Sequence, residues 1–110
     1  MNIELHCEDN ITTVLDVFIA DTFVNRFLGY MFRERPHKQA IIFKPCSSIH
    51  TFFMKFNIDV LFLDKNMEVI KMVKNLKPGK IIMPVIGANA VLETEEGGFR
   101  KIQIGNKIHF

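Results

Sequence analysis

The segment from Cys46 to Asp64, CSSIHTFFMKFNIDVLFLD, is the most apolar part of the chain and the feature that most limits what it can fold into. It predicts either two strands, Ile49–Phe56 and Ile58–Asp64, or one long strand with a kink or bulge at Asn57. Large side chains fall on both faces of each strand, which is typical of strands that are buried on both sides. The segment therefore predicts the centre of a β core.

Extended runs separated by turn signals occupy most of the remaining chain. They predict strands at residues 3–7, 11–20, 40–44, 67–73, 80–85 and 90–94, and a closing hairpin at 99–110 that folds at Gly105–Asn106. After Asp21, apolar residues at three- and four-residue spacings predict one short helix near residues 22–31. We therefore expect a single, mainly β domain over residues 1–110, a compact β-sandwich or squashed barrel with one short helix.

Charge and hydropathy exclude several classes of protein. The net charge of +2 is too small to predict a polyanion partner, and the lysine excess in residues 65–80 is more typical of protected sheet edges, so we expect no nucleic-acid partner. No apolar run reaches the ~18 residues of a membrane helix. Residues 1–10 lack the basic start and apolar run of a secretion signal. These features predict a cytoplasmic protein with no membrane span and with two reduced cysteines.

Polar side chains in and near the apolar segment are the candidates for chemistry. Asp59 has apolar neighbours along its strand, so folding must supply a partner, for which Arg26, His50 and Lys55 are available. The resulting pair either fixes strand register or works as an acid or base. Cys46 precedes His50 by four residues, and it is either an activated thiol or a small core side chain.

Motifs for metals and cofactors are missing from the sequence. The cysteines and histidines match no zinc spacing, and Glu93 belongs to an acidic turn without the alternating oxygen ligands of a calcium loop. Phosphate-binding glycine loops and dinucleotide fingerprints do not occur. We therefore predict no metal and no cofactor.

Several motifs together resemble one family, that of the domain of unknown function 192. They are RFLGYMFR at 26–33, the 46–64 segment, LKP at 76–78, and AVLETEEGG at 90–98 followed by IGNKI at 104–108. The resemblance implies a compact, mostly β, jelly-roll-like domain with no established activity. The positions that match its motifs are Arg26, Gly29, Met31, Cys46, His50, Thr51, Met54, Asp59 and Glu93.

Three functions stay open at this point. The first is a binding module in which a pocket rimmed by Arg26, Cys46, His50, Asp59 and Glu93 holds a small polar ligand. The second is a protein-interaction or structural domain that uses an exposed edge or residues 65–80. The third is a small acid/base or thiol-dependent hydrolase that uses Cys46 or His50 with Asp59.

Overall fold

The computed structural model describes residues 2–6, 12–20, 30–35, 39–99 and 102–109. Strands account for all the regular structure in these ranges: β1 Asn2–His6, β2 Thr12–Ala20, β3 Ala40–Phe43, β4 Ile49–His50, β5 Ile58–Leu63, β6 Val69–Leu76, β7 Ile81–Ile82, β8 Ala90–Glu95 and β9 Ile108–His109. The helix predicted at 22–31 falls mainly on residues outside these ranges, and Tyr30 and Met31 lie in a turn. The described part of the chain contains no helix that is long and apolar enough to cross a membrane.

Seven strands form one sheet whose two ends meet. Their order is β6-β5-β8-β3-β2-β1-β9, with β2 and β3 parallel and the other neighbours antiparallel. The first and last strands of this order are joined by a bridge between Glu68 and Lys107 and by hydrogen bonds from Val69 N to Asn106 O (2.9 Å) and from Ile108 N to Met67 O (2.9 Å). The sheet therefore closes into a flattened barrel, which confirms the predicted mainly β fold.

Alternation along the strands divides the buried side chains into two cores. The inner core fills the barrel and comprises Val17, Ala40, Ile42, Leu61, Leu63, Val69, Ala90, Leu92, Phe99, Ile102 and Ile108. The outer core lies on the opposite face of the sheet and comprises Ala20, Tyr30, Ile41, Phe43, Met54, Ile58, Val60, Phe62 and Val91. All six residues of β5 are buried, as predicted, because alternate residues of this strand enter the two cores.

A second, two-stranded layer covers the outer core. Strands β4 and β7 pair antiparallel, with Ile49 opposite Ile82 and His50 opposite Ile81. Ile49 and Ile82 pack against the outer core. Because side chains alternate across a strand, His50 and Ile81 point away from the barrel. The layer therefore presents an outward face at the surface of the molecule.

Hydrogen bonds of Thr51 hold the loops together at the end of this layer. Its buried hydroxyl donates to Lys77 O (2.7 Å) and accepts from Lys80 N (2.8 Å). Its backbone N donates to Lys80 O (2.8 Å), and its carbonyl accepts from Gly79 N (2.9 Å). The segment after β4 and the turn before β7 are thus held by one side chain and its own backbone.

Two of the predicted elements are wrong. The strand Ile49–Phe56 ends at His50, because the chain turns at Thr51 and passes through a left-handed conformation at Phe53 (φ 63°). The hairpin predicted at 99–110 does not form among the described residues 102–109, where β9 pairs with β1 instead of with a neighbouring segment. Gly105 is in a turn as predicted, but its N–H donates to Val69 O (2.8 Å) at the closure of the barrel.

Candidate functional site

Asp59 lies on the inner face of β5 and is satisfied by backbone amides. Its Oδ1 accepts from Asn75 N (2.8 Å), where β6 bulges in a left-handed conformation (φ 57°). Its Oδ2 accepts from Gly97 N (2.9 Å) in the turn after β8. The prediction that folding must supply a partner is confirmed, but the donors are peptide groups and not a cation. Asp59 therefore holds the ends of the two strands that flank β5.

Glu93 lies on the opposite face of the sheet. It is opposite Ile41 on β3 and Val60 on β5, and both of these side chains belong to the outer core. Only 2% of Glu93 is exposed, and its Oε2 has no hydrogen-bond partner among the residues that the structure describes. Burial raises the pKa of this carboxyl from 4.5 to about 8. At neutral pH the folded protein therefore holds Glu93 mainly in its protonated form.

Tyr30 lies close to Glu93 in the outer core. Its ring packs edge-on against Phe56, with 5.3 Å between ring centroids. Burial raises the pKa of its phenol, and the nearby carboxyl groups of Glu93 and Glu95 raise it further. The phenol therefore stays protonated throughout the physiological range.

Cys46 and His50 occupy different depths of the covering layer. The Cys46 thiol is half-buried against the outer core and donates to Ser48 O (3.0 Å). The His50 side chain is exposed, its ring stacks on Phe52 with 5.3 Å between centroids, and its Nδ1 accepts from Phe52 N (3.3 Å). Neither side chain shares a face of the sheet with Asp59.

The five predicted site residues therefore do not form one described cluster. Cys46 and Glu93 lie on the outer side of the sheet, His50 lies on the surface of the covering layer, and Asp59 faces the barrel interior. Arg26 lies outside the described residues. In the described ranges, no group of three His, Cys, Asp or Glu is placed to hold a metal ion.

A different feature stands out at the surface, and we call it the aromatic face. We give this name to His50 and six exposed apolar residues of the covering layer and of the loops that adjoin it, namely Phe32, Phe52, Phe53, Ile81, Met83 and Ile86. Its centre is a stacked pair, Phe32 and Phe53, whose ring centroids are 5.2 Å apart with 22° between the ring planes. Phe32 is 57% exposed and Phe53 is 65% exposed. Rings this large are seldom left in water without a role.

The backbone of this pair is unusual as well. Phe32 and Phe53 both have positive φ, 61° and 63°, which is the left-handed region that bulky residues avoid. The N–H of Phe32 donates to the carbonyl of Phe53 (3.0 Å), so the two strained positions support each other. One signal in the sequence could have revealed the face: adjacent Phe52 and Phe53 cannot both point inward in a strand that covers a core.

Comparisons with known proteins agree with this fold. The family model for DUF192, whose description is uncharacterized ACR, matches residues 5–110. A UPF0127 protein of Pyrococcus horikoshii is 38% identical over 100 residues, which are 84% of this chain and 85% of the relative. A UPF0127 protein of Pyrococcus abyssi is 36% identical over 102 residues, 86% of this chain and 85% of the relative.

A solved structure extends the likeness to three dimensions. The crystal structure of a protein of unknown function from Novosphingobium aromaticivorans superposes with a TM-score of 0.85 at 22% identity, over 100% of this chain and 84% of that one. At this identity the likeness supports the fold alone.

Proposed function

We propose that this chain, which belongs to the domain of unknown function 192 family, is a binding module that holds its partner on the aromatic face. The observation that carries the proposal is the exposed pair Phe32 and Phe53, whose rings stack on left-handed backbone. Strained backbone beside exposed aromatic side chains is typical of recognition surfaces.

The energetics of the pair favour recognition over stability. A non-glycine residue in the left-handed region lowers the stability of the fold by roughly 1–2 kcal/mol, and both Phe32 and Phe53 are such residues. A stacked pair of rings returns about 0.5–1.5 kcal/mol. The hydrogen bond from Phe32 N to Phe53 O is made by the backbone and does not depend on either side chain. The stacking therefore offsets only part of the cost of the backbone conformation, and binding explains why both positions carry aromatic side chains.

The hydrogen bonds of Thr51 support the same proposal. They fix the segment after β4, which carries Phe52 and Phe53, against the turn before β7 in the absence of any partner. A surface that is ordered in advance loses less conformational entropy on binding, so the same contacts yield a higher affinity.

Phe53→Asn tests the proposal, because asparagine tolerates the left-handed region while it removes the ring. We expect the free energy of unfolding in urea to change by less than about 1 kcal/mol. Backbone amide chemical shifts of the parent protein should move around the aromatic face with one class of probe, and Phe53→Asn should abolish that shift. The probes are a neutral oligosaccharide, a single-stranded oligonucleotide, an acidic peptide and a lipid bicelle.

Two results would remove this proposal. One is a loss of stability above about 2 kcal/mol in Phe53→Asn, which would make the ring a structural support. The other is a panel in which none of the probes moves the amide signals of the aromatic face.

A small polar ligand bound between Cys46 and Glu93 is the second candidate function. The Oε2 of Glu93 favours it, because this buried atom has no partner among the described residues and is therefore a place where a ligand atom can bind. A thermal-shift screen of small polar metabolites on the parent and on Glu93→Gln tests it, and equal shifts in both proteins would exclude it. We place either function in the cytoplasm.

A further inference from the structure

Basic side chains are frequent in the segments that carry the aromatic face. The segments that carry it, residues 30–35, 44–55 and 77–86, contain six lysines and arginines, namely Arg33, Arg35, Lys44, Lys55, Lys77 and Lys80. All six are exposed. Glu34 is the one acidic residue in the same segments, and it is bound by Lys55 Nζ at 2.6 Å. The three segments therefore have a formal charge of +5.

The charge of the three segments differs in sign from that of the remaining chain. The whole chain has a net charge of only +2, so the residues outside these three segments have a net charge of −3. The aromatic face thus combines exposed apolar side chains with local positive charge, against a weakly acidic remainder. Its partner should be anionic and should accept apolar side chains.

A second copy of the chain does not fit these requirements. A symmetric dimer through the aromatic face would place the same surface on both sides, so that a charge of +5 would meet a charge of +5. Like charges at such short distance repel each other, and salt screens them only in part. Self-association through this face is therefore disfavoured.

The kind of apolar side chain separates the remaining anionic partners. Bases of a nucleic acid stack on aromatic rings, but Ile81, Met83 and Ile86 have no ring to offer. Phe32 and Phe53 also each use one ring face on the other. Ile86 is 99% exposed and Met83 is 72% exposed, so these aliphatic chains project fully from the surface. Projecting aliphatic and aromatic groups inside a basic rim are the combination that enters the interfacial layer of a bilayer.

We propose that the aromatic face docks this domain on the surface of an anionic lipid bilayer. The six apolar side chains enter the interfacial layer, and the surrounding lysines and arginines contact lipid phosphates. The inference rests on the proposed binding function, and it adds the class of partner. It requires no membrane-spanning segment, because the docking groups lie on loops and on one short strand of the domain.

Co-sedimentation with large vesicles tests the docking. The vesicles are pure phosphatidylcholine or phosphatidylcholine with about one third phosphatidylglycerol. We expect the parent protein to bind the anionic vesicles at least about tenfold more tightly than the neutral ones, and to lose most of this binding in about 0.5 M NaCl. Met83→Ser combined with Phe53→Ser should weaken binding to anionic vesicles at least about tenfold. Lys77→Gln combined with Lys80→Gln should do the same.

Matched variants away from the face serve as controls. Ile104→Ser removes an apolar side chain that is 63% exposed in a different turn, and it should bind like the parent. Lys65→Gln combined with Lys71→Gln removes two exposed cations that lie outside the three segments, and it should also bind like the parent. A circular dichroism melt confirms that each variant is folded, and Met83→Ser alone replaces the double variant if that one is not.

Four results would overturn the docking proposal. The parent could fail to bind anionic vesicles, or it could bind neutral vesicles equally well. The control variants could lose as much affinity as the face variants, or a single-stranded oligonucleotide could bind the face more tightly than lipid does. The binding-module proposal fails separately, through the lost stability of Phe53→Asn, a measurement in which lipid has no part.

Discussion

The protonated state of Glu93 makes the stability of the fold depend on pH in a direction opposite to that of most carboxyl groups. In the folded chain the pKa of Glu93 is about 8, whereas the exposed carboxyl of the unfolded chain has its ordinary value of 4.5. Between these two values the folded state binds a proton that the unfolded state has released. The free energy of unfolding therefore falls as the pH rises through this window, and it levels off above the folded pKa.

The size of the effect follows from the two pKa values. Each pH unit between them removes about 1.36 kcal/mol, so the full window corresponds to about 4–5 kcal/mol. This is a large part of the 5–15 kcal/mol that is typical of the stability of a small domain. Glu93→Gln keeps a neutral group of similar shape and removes the titration. We expect the variant to match the parent within about 1 kcal/mol near pH 5 and to exceed it by several kcal/mol near pH 8.

Urea unfolding, followed by far-ultraviolet circular dichroism at several pH values between 5 and 8.5, measures how the free energy of unfolding changes with pH in the parent and in Glu93→Gln. Glu96→Gln is the matched control, because Glu96 is exposed in the turn after β8 and its removal should leave the slope of the parent unchanged. The reasoning is refuted if Glu93→Gln loses stability as steeply as the parent does. It is also refuted if the parent becomes more stable from pH 5 to 8 by an amount that Glu93→Gln abolishes. That second result would mean that Glu93 is ionised in the fold and paired with a cation.

Three further substitutions test the remaining structural assignments. Asp59→Ala leaves two backbone amides without their acceptor and should lower the free energy of unfolding in urea by about 2–4 kcal/mol. Asp59→Asn keeps one acceptor oxygen and should lose less stability, so equal losses in the two variants would argue against the role of Asp59 as acceptor for these amides. Gly98→Ala should cost more than about 2 kcal/mol, because the new Cβ would lie 2.7 Å from Thr94 Cβ and closer still to its hydroxyl, and a neutral result would show that this turn can move. Cys46→Ala should cost only about 1 kcal/mol as a small packing change, so a much larger loss would point to a role beyond packing.

The sequence predicts the barrel well where one rule decides each position. Strand β5 has apolar residues at nearly every position, and only burial on both faces accommodates such a run. The prediction of a strand at Ile49–Phe56 is wrong because apolar residues in this segment lie both in the core and at the surface. Met54 enters the outer core, whereas Phe53, the residue directly before it, points outward. Apolar composition alone does not distinguish a core from a recognition surface.

In the candidate site, too, some features follow from the sequence and others do not. A carboxylate at Asp59 requires a partner, and this follows from solvation energy alone. Its donors are the amides of Asn75 and Gly97, and every residue except proline carries such a donor, so no pattern of side chains marks them. The depth of Glu93 depends on which strands flank β8. That neighbourhood is set by pairings with β3 and β5, which are distant in the sequence.

The closure of the barrel has a consequence for how the chain folds. Glu4 on β1 pairs with His109 on β9, so the first and last strands of the described chain are direct neighbours. Bringing two segments this far apart together costs loop-closure entropy, and that cost is met only after the intervening strands have ordered. We expect β5 and the two strands that pair with it, β6 and β8, to order before the contact of β1 with β9. A ribosome that is still making the chain therefore carries an open sheet, and the inner core stays accessible to water until the final strand has emerged.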